Sequence, residues 1–131
     1  MSTLSVGTIQ SNTTSPPTIN NSAGTAIGTF CRAWVNFNGT GTVAIRASFN
    51  VTSITDNNTG DYTVNFTTAL ADANFAVVGN AKADNTTAVT TGSNPRVFVY
   101  AVPTTSSVRV WVPNLAAGLA DAENISVSIF R

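Results

Sequence analysis

Apolar and polar residues alternate with a period of two through most of the chain after residue 29, as expected of strands with one buried face. Phe30 to Phe37 opens the series. Val43, Ile45, Ala47, Phe49 and Val51 then share one parity, while Ala44, Arg46, Ser48 and Asn50 share the other. Tyr62, Val64 and Phe66 alternate with Thr63, Asn65 and Thr67 in the same way. Between the last two runs lies Asp56-Asn57-Asn58-Thr59-Gly60-Asp61, whose Asn and Gly tolerate positive φ, so the pair predicts an antiparallel hairpin. Further strands are predicted at Phe75 to Asn80, Arg96 to Val102, Val108 to Val112 and Ile125 to Phe130, with Pro103 to Ser107 as a turn.

Helical periodicity is weak throughout. Its nearest approach, the Ala/Leu/Gly segment from Asn114 to Asn124, fits one helical turn or an irregular loop. Short strands with turn signals every eight to twelve residues predict an all-β fold, an antiparallel β-sandwich of jelly-roll-like kind over residues 29–131. Periodicity leaves the strand order open between jelly-roll, immunoglobulin-like and simpler arrangements. Asp84 to Asn94, rich in threonine, reads as a surface loop suited to contacts.

Residues 1–28 break the pattern. Serine, threonine and asparagine dominate, and Leu4, Val6, Ile9, Ile19 and Ile27 are too few to form a core. Ordering a backbone residue costs about 1 to 2 kcal/mol, so this segment is expected to be an extended assembly arm that gains a fixed shape against other polypeptides. A chain of 131 residues supports one core, so the remainder is one domain. Only 9% of residues are charged, and six basic residues balance six acidic ones. Such a weakly repelling surface favours association. It supplies no basic excess for nucleic acid or anionic membranes, and no apolar run is long enough for membrane insertion.

The chemical inventory is narrow. Without histidine, the commonest general base and transition-metal ligand are missing, and one cysteine cannot build a thiolate zinc site. Cys31 shares parity with Ala33, Val35 and Phe37 and reads as a small buried side chain. The Asp56 to Thr67 segment has a calcium-loop flavour but puts Gly60 at the fifth position and Thr67 at the twelfth, where ligands are required. Gly39-Thr40-Gly41-Thr42 lacks the lysine and helix of a phosphate loop. No enzymatic activity and no cofactor are therefore expected.

Two tryptophans sit on polar parities: Trp34 with Arg32 and Asn36, and Trp111 with Arg109. Beside an arginine, an outward indole either seals a subunit contact or stacks on a sugar ring. The expected assembly interface comprises Ile9, Pro16, Pro17, Ile19, Ile27, Trp34 and Arg46. In the alternative reading, a carbohydrate- or receptor-binding domain, Tyr100, Trp111, Asn85 and Thr87 face the receptor or glycan.

Phe30-Cys31-Arg32-Ala33-Trp34-Val35-Asn36-Phe37-Asn38-Gly39-Thr40, Ile45 to Val51, Thr55-Asp56, Gly60 to Phe66 and Ile125 to Arg131 together resemble small tail-fibre-like virion proteins of tailed bacteriophages, especially marine and cyanobacterial ones. Ser2 to Gln10 resembles their opening as well. The likeness spans nearly the whole chain and weakens between Ala81 and Asn94. It implies a virion structural protein made in the bacterial cytoplasm, a homotrimer whose arm docks on capsid or tail proteins while the β-domain projects outward. A capsid-decorating (cement) protein and a short fibre are the two forms this could take, and a host surface glycan is the partner that host attachment would add. A short chain opening on its own methionine is expected to be a stand-alone subunit. The resemblance transfers no catalytic site.

Overall fold

A computed structural model describes residues 3–12, 17–82, 99–101, 103–114 and 118–131. The chain divides into two compact units, residues 1–30 and 31–131. Among the described residues there is no helix, and twelve strands form: β1 (Ile19–Asn20), β2 (Ala26–Gly28), β3 (Cys31–Asn38), β4 (Ala44–Phe49), β5 (Val51–Asn58), β6 (Asp61–Phe66), β7 (Ala76–Ala81), β8 (Val99–Ala101), β9 (Ser107–Trp111), β10 (Pro113–Asn114), β11 (Gly118–Leu119) and β12 (Ile125–Phe130).

The second unit is an antiparallel β-sandwich. One four-stranded sheet runs β4-β3-β12-β7 and the other β5-β6-β9-β8. Each sheet puts its central pair over the core. In the first, Phe37, Val35 and Ala33 lie opposite Ile125, Val127 and Ile129, and all six are buried. In the second, Tyr62 and Val64 lie opposite Val110 and Val108, again all buried. Residues directly across an antiparallel ladder share a face, so strict alternation on four strands is what makes two apolar faces available to each other. The Phe37 and Tyr62 rings meet edge to face across the sheets, centroids 5.2 Å apart at 75°. Phe66 and Phe75 repeat that geometry at 5.9 Å and 67°.

The predicted hairpin at Asp56 to Asp61 forms, with Thr59-Gly60 as its turn and Gly60 at φ 64°. Glycine is needed there for packing as well, because a Cβ would lie 2.6 Å from the Ala120 backbone nitrogen.

The alternating run from Val43 to Val51 is two strands, where the sequence pattern suggests one. Asn50, at φ 54°, turns the chain from β4 in the first sheet to β5 in the second. Its side chain secures the corner: Nδ2 donates to the Arg32 and Thr68 carbonyls, each at 3.1 Å, and Oδ1 accepts from the Thr68 amide at 2.8 Å. A register shift at Asn36/Phe37 also puts Ile45 opposite Phe37, but Ala47 and Phe49 opposite Asn36 and Trp34. Parity along β4 therefore does not translate into a buried face, and the whole strand is exposed.

Of the segment from Asn114 to Asn124, residues 115–117 lie outside the described residues, and the positions on either side of them are in strands. β10 and β11 pair antiparallel, Pro113 with Leu119 and Asn114 with Gly118. The expected loop from Asp84 to Asn94 lies outside the described residues.

Candidate assembly surface and polar sites

In the first unit, β1 and β2 form a small antiparallel ladder. Its turn is organised by Asn21, whose Oδ1 accepts from the amides of Ala23 (3.0 Å) and Thr25 (2.9 Å), with Gly24 at φ 79°. Asparagine with glycine three positions on supplies the side-chain acceptor and the left-handed residue such a turn requires. The hairpin does not bury the arm's apolar side chains. Leu4 is 81% exposed, Ile9 65% and Ile27 63%, and Val6 and Ile19 are exposed too. Pro17 is half-buried, and Pro16 lies outside the described residues.

Trp34 emerges on the outward side of the first sheet, in one cross-strand row with Phe49, Ser128 and Val78. Trp34, Phe49 and Val78 are exposed, as is Phe130 one step along β12. Exposed apolar side chains thus lie on either side of Ser128 on the outward face of this sheet. Arg46 acts within the fold. One of its guanidinium nitrogens donates to the Glu123 carbonyl (2.6 Å) and to Asn124 Oδ1 (2.7 Å), tying edge strand β4 to the segment before β12.

Trp111 and Tyr100 do not form one platform. Trp111 lies opposite Asp61 and Val99, whereas Tyr100 lies opposite Val110, whose side chain points into the core, so the two aromatics belong to opposite faces of the second sheet. Trp111 is half-buried beneath Arg109, whose guanidinium carbon is 5.8 Å from the ring centroid. That guanidinium is itself engaged by Asp61, with Nε donating to Oδ1 at 2.7 Å and a second bond from Nη2 to Oδ2. Asn57 Nδ2 and the Trp111 indole add hydrogen bonds to the same carboxylate. The Arg109 bond, foremost among these, holds the buried Asp61 carboxyl below the ordinary carboxylate range despite the opposing effect of burial. The cation that would greet a ligand beside Trp111 is thus neutralised within the fold. Asn85 and Thr87 lie outside the described residues.

A second polar centre gathers at Asp121. Its Oδ1 accepts from the Gly60 amide and from the Tyr62 hydroxyl, both at 2.7 Å, and that hydroxyl is also 2.8 Å from the Gly39 carbonyl oxygen. Burial, reinforced by the Asp121 carboxylate, pushes the Tyr62 phenol well above its usual range. A Cβ at Gly39 would come within 2.6 Å of the Tyr62 hydroxyl oxygen and 2.7 Å of Ile125 Cδ1, so the start of the glycine-rich turn is a packing requirement. These bonds tie the Gly39 turn and the Gly60 turn to the segment carrying Asp121.

Cys31 is half-buried, its thiol 3.2 Å from the Ala33 carbonyl oxygen. Among the described residues, no group of three or more His, Cys, Asp or Glu side chains could hold a metal ion.

One open site was not apparent from sequence spacing. A cleft of about 340 Å³ is lined by Arg32, Phe49, Asn50, Thr67 and Thr68. It forms where the Asn50 corner brings the end of β4 close to the residues following β6. Arg32's position on the outward parity was the available signal; the threonines arrive through tertiary structure. No family model, curated protein or solved structure matches this chain.

Proposed function

We propose that this chain is a structural subunit of a bacteriophage virion, a homotrimeric capsid-decorating or short-fibre protein anchored to its neighbours through residues 1–28. The observation that carries the reading is the exposure of Leu4, Val6, Ile9, Ile19 and Ile27 in a unit whose β-structure, among the described residues, is one small ladder. The resemblance of Phe30 to Phe66 to tail-fibre-like virion proteins supplies the particle, and the low charge suits permanent association.

The energetics dictate how such an arm works. Fixing residues 3–12 costs about 1 to 2 kcal/mol per residue. Full burial of Leu4, Val6 and Ile9 returns roughly 1.5 to 3 kcal/mol each, too little alone. Docking must therefore add backbone hydrogen bonds, as strand addition to a neighbour's sheet edge does. The β1–β2 hairpin lowers the ordering cost for the stretch it already fixes.

The test is removal of residues 1–28. The truncated protein should keep the β-sheet circular dichroism and melting behaviour of its sandwich, yet fail to join particles and sediment as a monomer where the full chain is a trimer. Normal incorporation of the truncated protein would refute the anchor. A monomeric full-length chain at high concentration would refute the trimer.

A further inference from the structure

We infer that the cleft at the Asn50 corner is a binding site for a carboxylate-bearing sugar, such as a uronic acid unit of a cell-surface polysaccharide. Arg109 and Arg131 bond to Asp61 and Asp72, and Arg46 is held by a carbonyl and an amide oxygen. Arg32 lines the cleft half-buried, and among the described residues its guanidinium meets neither a carboxylate nor another acceptor. The guanidinium of a half-buried arginine that lacks a counter-charge favours an incoming carboxylate, which it can grip through two parallel N–H donors.

The remaining walls select the class of acid. Phe49 is 56% exposed and offers a ring for the apolar face of a pyranose. The Thr67 and Thr68 hydroxyls bond to no side chain or backbone group among the described residues and are available to sugar hydroxyls. A volume near 340 Å³ lies at the lower end for small-molecule sites and suits one or two sugar rings. Asn50 preorganises the wall, since its side chain simultaneously fixes the Arg32 carbonyl and both backbone polar groups of Thr68. An acidic peptide would satisfy Arg32 but leave the ring and hydroxyls poorly used. The inference stands independently of the arm: it needs neither the trimer nor the virion.

One such site should bind weakly, at about millimolar Kd, and repetition on an oligomer would convert that into firm attachment. Full-length protein would be titrated with glucuronic acid, with glucose, and with a short acidic peptide, while side-chain and amide NMR signals of Arg32, Thr67 and Thr68 are followed. Glucuronic acid should shift these signals saturably and in a salt-sensitive way, with glucose at least about tenfold weaker. Arg32→Gln should lose about tenfold in affinity and Phe49→Ala several-fold, whereas Lys82→Gln, an exposed cation outside the cleft lining, should bind as wild type. Absence of saturable shifts, or equal binding by Arg32→Gln, would overturn the site. Preference for the acidic peptide would overturn the sugar assignment. If Arg32→Gln or Phe49→Ala instead abolished self-association and left glucuronic acid binding intact, the cleft would belong to a contact between copies.

Discussion

Phe37 and Ile9 are both large apolar side chains, yet Phe37 is wholly excluded from solvent and Ile9 is mostly exposed. The contrast extends to their surroundings. Phe37 lies opposite Ile125 and against Tyr62, in a sandwich with alternating strands on both sides of a shared core. Ile9 belongs to a unit with few apolar residues and, among the described residues, one short ladder. The difference teaches that alternation needs a matching face. The sandwich supplies its own, whereas in the proposed assembly the exposed Leu4, Val6, Ile9, Ile19 and Ile27 find one on another molecule.

The contrast is broken most severely from the sandwich side. Phe37→Ala should cost about 3 to 5 kcal/mol, because it empties space between the two central strand pairs and removes the ring contact with Tyr62. Thermal or urea unfolding followed by circular dichroism would show it as a large loss of midpoint. A loss below about 1 kcal/mol would mean that the ring is not a central part of the core. Gly60→Ala comes next, at about 2 kcal/mol or more, since the new Cβ meets the Ala120 backbone at a residue held in the left-handed region. Smaller again is Tyr62→Phe, at about 1 kcal/mol, which keeps the ring but removes the hydroxyl shared by Asp121 and Gly39. The same variant should outlast wild type at high pH. The folded phenol titrates above the unfolded one, so its contribution is complete below about pH 10 and fades as pH rises through the folded value.

How far this was legible from sequence depends on whether a feature is local. Ile125 to Phe130 and the hairpin around Asn58 to Asp61 could be read directly, because alternation and a glycine turn are encoded in neighbouring residues. The corner at Asn50 could not. Apolar parity runs unbroken from Val43 to Val51, and it takes the positive φ of one asparagine, stabilised by Arg32 and Thr68, to send the chain between sheets. Trp34 and Phe49 meet for a related reason, a register shift that no single strand records. Arg46 and Arg109 were visible as outward cations, but their partners lie in distant segments. The Arg32 cleft combines both obstacles: it exists only because the corner places residues 67 and 68 beside residues 32 and 49.

Asp61 sharpens the comparison through pH. Its carboxyl is held below the ordinary range chiefly by Arg109, so it contributes fully to stability above about pH 4, the unfolded value, and loses that contribution as pH falls through the depressed folded value. Asp61→Asn should therefore flatten the acid limb of the stability profile, read as unfolding midpoint against pH between about 2 and 5. Arm association, resting on apolar side chains and backbone bonds, should be indifferent over the neutral range. An acid limb unchanged by the substitution would show that the Arg109 pair contributes nothing to folding.

The smallest effect on the fold should accompany the largest effect on assembly. Leu4→Ser combined with Ile9→Ser changes two exposed side chains, so the melting of the sandwich should stay within about 0.5 kcal/mol of wild type. In the proposed assembly those same side chains are buried against a neighbour, and each loss of about 1.5 to 3 kcal/mol multiplies the dissociation constant by ten or more. Sedimentation of the double variant should reveal dissociation at concentrations where wild type stays associated, with the circular dichroism of the two proteins superimposable. Ile45→Ser on strand β4 provides a control outside the arm: it removes an apolar side chain that is 37% exposed and should leave association intact. If the arm variant associates as wild type does, the exposed side chains of the leading unit have no partner in the assembly. If the β4 control fails equally, association depends on apolar surface in general and the arm has no special role.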